Sequence, residues 1–126
     1  MMQKFGLFIG LSLVLFSCKP AEESEKCAEA FFSLLMEEEY TKAAKMMQTF
    51  PGDTTDYVRI VKSLGEDPSF GKLKDAEKGV GFSSTISNGV ATTTFPYELT
   101  YEHRGRSTEV TVVADPADGF KISEIK

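Results

Sequence analysis

The side chains in this sequence that could do chemistry are scarce: two cysteines, one histidine and four tyrosines. Cys18 stands where an apolar run, Phe5 to Phe16, meets a charged stretch that starts at Lys19. Cys27 recurs with Phe31, Leu34 and Leu35 at i, i+4, i+7 and i+8, the spacing of one helix face, so it reads as a small buried hydrophobe. His103 flanks an Arg104-Gly105 turn signal and reads as a solvated turn residue. No HExxH, CxxC, GxSxG or phosphate-loop pattern occurs. The acidic run Glu37 to Glu39 and the pair Asp53 and Asp56 lack the loop that holds calcium. Met36, Met46 and Met47 read as gap-filling core residues. No catalytic residue, metal or cofactor is therefore expected. The ligand-binding candidates are Tyr57, Tyr97 and Tyr101, whose amphipathic rings need a partner for the hydroxyl when buried.

Cys18 acquires a meaning from what precedes it. Lys4 gives a positive start, and the apolar run that follows falls short of the ~20 residues of a spanning helix, so residues 1–17 read as an export signal. Leu15-Phe16-Ser17-Cys18 resembles the lipobox of bacterial lipoproteins, with Phe16 departing from the small or β-branched residue usual there. The resemblance implies a diacylglycerol thioether on Cys18, cleavage before it, and a lipid bilayer as partner. Several buried acyl chains anchor stably where one does not. Residues 18–24 would be the lipidated cysteine and a polar spacer. Lys19 lacks the Asp that retains some lipoproteins in the inner membrane. The cluster Glu22, Glu23 and Glu25 resembles surface-export signals of Bacteroidota lipoproteins, and equally suits the positive end of a helix dipole. The expected location is the bacterial cell envelope, on the outer membrane, facing the periplasm or the surface.

Residues 25–126 are the length of one small domain. The chain is acidic, with a formal net charge of −5, and offers no basic patch for nucleic acid. Three helices are expected: one from Glu22 to Glu39, one capped by Thr41 with Ala43, Ala44 and Met47 inward, and one capped by Asp53 or Thr54 with Tyr57, Ile60, Val61 and Leu64 inward. After Pro68 the texture turns to strands. Asn88-Gly89 pairs Ser87 with Val90, and outward counting puts Phe82 opposite Phe95 and Val80 opposite Tyr97. A tight Arg104-Gly105 turn pairs Leu99 with Val110 and Tyr97 with Val112. The turn from Asp115 to Gly119 pairs Ala114 with Phe120 and Val112 with Ile122. All three registers collect Val80, Phe82, Ile86, Phe95, Tyr97, Leu99, Tyr101, Val110, Val112, Ala114, Phe120 and Ile122 on one face. Residues 69–78 extend the first strand or add another, and Pro96 marks a bulge or an edge-facing position. The fold class is α+β: N-terminal helices packed on one face of a curved antiparallel meander of about four strands. On the other face, Glu98, Glu102 and Glu109 keep the sheet soluble.

The opening "CAEAFFSLLMEEEYTKAAKMM" and the ending "TVVADPADGFKISEIK" resemble small bacterial lipoprotein domains of the nuclear-transport-factor-2-like or cystatin-like superfamily, including lumazine-binding-like lipoprotein families. Phe120 stands where that ending usually has Trp. The resemblance implies a cone-shaped cavity between helices and sheet. It suggests a non-enzymatic domain that binds a small ligand or an envelope protein through the cavity or the sheet. The alternatives are an enzyme of the ketosteroid isomerase-like type, or a structural accessory subunit. Enzymes of that type place an acid inside the cone, and the inner face expected for residues 80–114 carries none. Replacement of Cys18 by alanine should shift the protein from the membrane to the soluble fraction; membrane attachment that survives Cys18→Ala rules out the anchor.

Overall fold

The computed structural model describes residues 22–115 and 119–126. The export signal, Cys18 and the first part of the spacer lie outside the described residues, as does the centre of the Asp115 to Gly119 turn. Among the described residues no helix is long and apolar enough to cross a membrane.

Helix α1 covers residues 22–36. Its apolar stripe becomes its buried face: Cys27, Ala28, Phe31, Phe32 and Leu35 are all buried. Ser24 and Ala28, one turn apart and small, are 1% and 0% exposed, so the packed domain begins inside the expected spacer. The helix ends where the carboxylates accumulate. Glu38 adopts φ 61°, and the N–H groups of Glu38 and Glu39 donate to the carbonyls of Leu35 and Leu34 at 3.1 and 2.8 Å. This is a Schellman ending with glutamate in the left-handed position usually held by glycine.

Helix α2 (Tyr40–Ala44) starts one residue before the expected cap. Its N-cap is Glu39, which makes no side-chain cap, and Thr41 lies inside the helix. Helix α3 (Tyr57–Gly65) is capped by Asp56, which accepts from the Arg59 N–H, rather than by Asp53 or Thr54. Asp53 instead accepts from the Thr55 N–H in a local turn. Val61 faces the core, whereas Ile60, expected inward, is 50% exposed.

The sheet is a strongly curled antiparallel meander against which α1 packs, and the fold is α+β. Among the described residues it has six strands, not about four: β1 (Glu66–Asp67), β2 (Gly71–Lys78), β3 (Ser83–Ser87), β4 (Val90–Tyr101), β5 (Gly105–Asp115) and β6 (Gly119–Ile125). The order is β1-β2-β4-β5-β6, with β3 also on β4. The expected first strand therefore divides. Both β2 and β3 lie along one side of β4, and the break between them, Gly79 to Phe82, lies opposite Pro96. In an antiparallel ladder a residue's N–H and C=O point to the same side. The Pro96 carbonyl accepts from the Gly79 N–H at 2.8 Å, so the donor that proline lacks would have pointed to this same edge. Pairing resumes with Lys78, not Val80, opposite Tyr97.

Two hairpin registers stand as the turns predict: Ser87 pairs with Val90, and Ala114 with Phe120. The third differs. Thr100 pairs with Gly105 and Leu99 with Arg106, so Leu99 does not face Val110, nor Tyr97 Val112. Tyr101 to Arg104 form a wider loop, closed by the Tyr101 N–H on the Arg104 carbonyl at 2.8 Å. The slip is an even number of residues, so side chains keep their faces. Phe95, Tyr97, Leu99, Tyr101, Val110, Val112 and Ile122 are all buried against α1 and Val61. Val80, Phe82 and Ile86 are the exception: assigned to the inner face, they are 102%, 55% and 77% exposed, because the hairpin that carries them runs past the helical cover.

Burial pushes the Cys27 thiol up to about 11 from its ordinary 9.0, with Lys121 pulling the other way. The folded chain therefore keeps a proton that the unfolded chain releases first. The stabilisation is complete below pH 9.0 and is lost as pH rises towards about 11. The melting temperature should fall across that interval, and less steeply in Cys27→Ala; equal slopes would place the thiol outside the core.

Candidate functional site

The three candidate tyrosines have different surroundings, and the structure does not gather them into one site. Tyr57 opens α3 and is half-buried; its hydroxyl donates to Asp53 Oδ2. Hydrogen bonds from Thr55 and then Tyr57 hold the Asp53 carboxyl down at about 2. Tyr101, at the end of β4, is 3% exposed, and its hydroxyl donates to the Leu64 carbonyl at 2.7 Å. It thus ties the last turn of α3 to the sheet, satisfying one of the carbonyls that a helix end leaves free. Its ring meets Phe70 edge-on with centroids 5.6 Å apart.

Tyr97 is different. It is 3% exposed, and among the described residues its hydroxyl has no hydrogen-bond partner. The ring lies against Phe32 of α1, centroids 4.7 Å apart. Burial, together with the negative charges of Glu29 and Glu25, pushes the phenol up to about 12. Those two carboxylates belong to α1, so the hydroxyl is on the α1 side of the sheet. A buried hydroxyl without a partner costs about 1–3 kcal/mol.

Tyr97 borders a cleft of about 290 Å³ between α1 and β2, together with Glu29, Phe32, Ser33, Met36, Ala76 and Lys78. At the edge of this region Lys78 Nζ lies 2.6 Å from Glu25 Oε1, which fixes the first turns of α1 to the end of β2. Phe32 and Ala76 give apolar wall, Ser33 and Lys78 give donors, and Met36, unbranched and 37% exposed, can swing at the mouth. A few polar groups set in an apolar wall are the usual composition of a small-molecule site.

A second buried hydroxyl without a partner, missed in the sequence, is that of Tyr40. It borders a smaller cleft of about 220 Å³ with Glu38, Lys72 and Lys74. The ring presses on Gly65, where a Cβ would come within 2.7 Å of Tyr40 Cε1. Tyr40 opens a five-residue helix, too short for any periodicity to mark it. A wider concavity, about 440 Å³, is an open depression on the wet sheet face around Pro96, Glu98, Ser107 and Glu109. There Ser107 already donates to both Glu98 oxygens, at 2.7 and 2.9 Å. His103 is exposed in the Tyr101 to Arg104 loop. Among the described residues, the buried polar side chains outside the tyrosines are Ser24, Thr93 and Thr108, all neutral, and no group of three His, Cys, Asp or Glu is arranged to hold a metal ion.

Compared with protein-family models, curated proteins and solved structures, the chain matches none.

The two sheet tyrosines should separate in urea denaturation. Tyr101→Phe removes a satisfied hydrogen bond and should cost about 1 kcal/mol. Tyr97→Phe removes a hydroxyl without a partner and should leave the stability of the ligand-free protein unchanged or higher by up to about 1 kcal/mol. An equal loss in both variants would mean that Tyr97 is satisfied within the protein.

Proposed function

We propose that this protein is a lipid-anchored domain of the bacterial cell envelope, with a fold of the nuclear-transport-factor-2-like or cystatin-like kind, that binds a small ligand without transforming it. The observation that carries the binding reading is the Tyr97 hydroxyl, buried without a partner beside the cleft between α1 and β2. Of the three tyrosines, it alone has no hydroxyl partner and borders this cleft. The ligand class that suits it is small, with an apolar body for Phe32, Met36 and Ala76 and an acceptor atom for the phenol. Lys78 adds a positive charge already balanced by Glu25, so a neutral acceptor such as a carbonyl or ring nitrogen suits the site better than an anion. With its proton held up to about 12, the phenol donates across the physiological range. A buried phenol whose proton is held this firmly favours recognition over proton transfer, even with the Glu29 carboxylate in the same cleft. The anchoring half of the reading rests on the run that ends at Cys18.

Native mass spectrometry of the protein extracted gently from its own membranes tests the binding half. The wild-type domain should carry mass beyond that of the acylated chain, and Tyr97→Phe should lose most of it. A bare acylated chain in the wild type, or a retained adduct in Tyr97→Phe, would overturn the cleft as the site.

A further inference from the structure

The exposed hairpin that contradicts the sequence reading has a second unusual property. Residues 79–95 contain none of the chain's 14 basic and 19 acidic residues. Within this run Val80, Phe82 and Ile86 are exposed, and every residue of β3 is exposed. Three exposed apolar side chains on an uncharged projection of an acidic protein are a candidate contact surface.

The position of the hairpin indicates which partner. Glu25, in the first turns of α1, lies 2.6 Å from Lys78. Lys78 Nζ is in turn 5.8 Å from the centre of the Phe95 ring, and Phe82 packs on Phe95 with centroids 5.9 Å apart. The chain thus enters the described domain at the end of the molecule that carries Phe82, linked to it through Lys78 and Phe95. Three residues lie between Cys18 and Glu22, four steps of the chain, a reach of at most about 14 Å. The opposite end of the molecule, where Tyr101 meets Leu64, carries α3.

We infer that Val80, Phe82 and Ile86 form a second, non-covalent contact with the lipid bilayer, next to the acylated Cys18, and that this contact sets the orientation of the domain on the membrane. The inference rests on the anchoring reading above. Charge supports it: with a formal net charge of −5 the protein would be repelled by an anionic leaflet, and this run carries no acidic residue. Shape supports it as well. The projection is exposed on both faces of β3, a form that a fluid interface surrounds and a single flat protein surface does not. Ser83 and Thr85, between Phe82 and Ile86, and Ser87 beyond them would place their hydroxyls at the depth of the headgroups. The unpaired backbone edge of β3 confines the contact to that depth, because free N–H and C=O groups do not enter hydrocarbon.

The chain has no tryptophan, so one introduced indole reports its own surroundings. Full-length acylated Phe82→Trp and Ile86→Trp would be placed in phosphatidylcholine vesicles with brominated acyl chains. Ile60→Trp, exposed on α3 at the other end, is the control. Emission from positions 82 and 86 should shift to the blue and be quenched several-fold more than from position 60. Equal, water-like emission at all three positions, with the lipid mass present on Cys18, would overturn this inference alone. Blue-shifted emission without quenching by the brominated chains would overturn it in favour of a protein contact, such as a second copy. Absence of lipid mass on Cys18 would overturn the anchor, and this inference with it.

Discussion

Pro96 has no N–H to give to the strand beside it, and much of this molecule follows from that missing donor. The edge of the sheet cannot run unbroken past a central residue that lacks one ladder bond. It divides into β2 and β3, with Gly79 to Phe82 between them. Above the break, Lys78 comes opposite Tyr97, within reach of Glu25, and the cleft between α1 and β2 takes its shape. Below it, β3 and its turn run on beyond the helical cover. One imino acid in the central strand thus separates a charged half of the edge, which lines the cleft with α1, from an exposed, uncharged half.

The core then works by joining that sheet chiefly to α1, with Ala43, Ala44 and Val61 completing it. Phe31 and Phe32 of α1 meet edge-on with centroids 5.5 Å apart, and Phe32 continues onto Tyr97. Each buried ring contributes ~1.5–3 kcal/mol of transfer free energy, with a further ~0.5–1.5 kcal/mol for a well-placed aromatic pair. The two buried tyrosines of β4 show how position along a strand changes the role of a residue type. Tyr101 meets the end of a helix, where a carbonyl waits for a donor. Tyr97 lies under the middle of one, where every backbone carbonyl is already bonded, and its hydroxyl is left over. A structural clamp and a candidate recognition group stand four residues apart on the same face.

Much of the architecture was legible because short-range signals were unambiguous. The Asn88-Gly89 pair demands a two-residue turn, since both positions take positive φ, 53° and 78°, and the pairing of Ser87 with Val90 follows. Arg104-Gly105 carries no such demand, and the chain there forms a wider loop held by the Tyr101 N–H. The resulting slip was harmless to the inside-outside pattern because it was even. The spacing of Cys27, Phe31 and Leu35 identified the inner face of α1 for the same kind of local reason. Ile60 misled because a helix that sits at the end of a sheet buries a narrower stripe than its periodicity offers.

The sequence by itself determined the class of elements, the face that each strand turns inward, and the seam at Cys18, because these depend on turn chemistry and on the periods of 2 and 3.6 residues. Only the tertiary structure decided how far the helices reach along the sheet, and therefore which inward-facing residues are covered. Phe95 and Phe82 have the same character and neighbouring positions in the pattern, yet one is 1% exposed and the other 55%. Only the fold decided which tyrosine hydroxyl found a carbonyl, since Leu64 and Tyr101 are brought together by contacts distant in the chain. Alternation records which way a side chain points; whether anything is there to meet it depends on the lengths and crossing of whole elements.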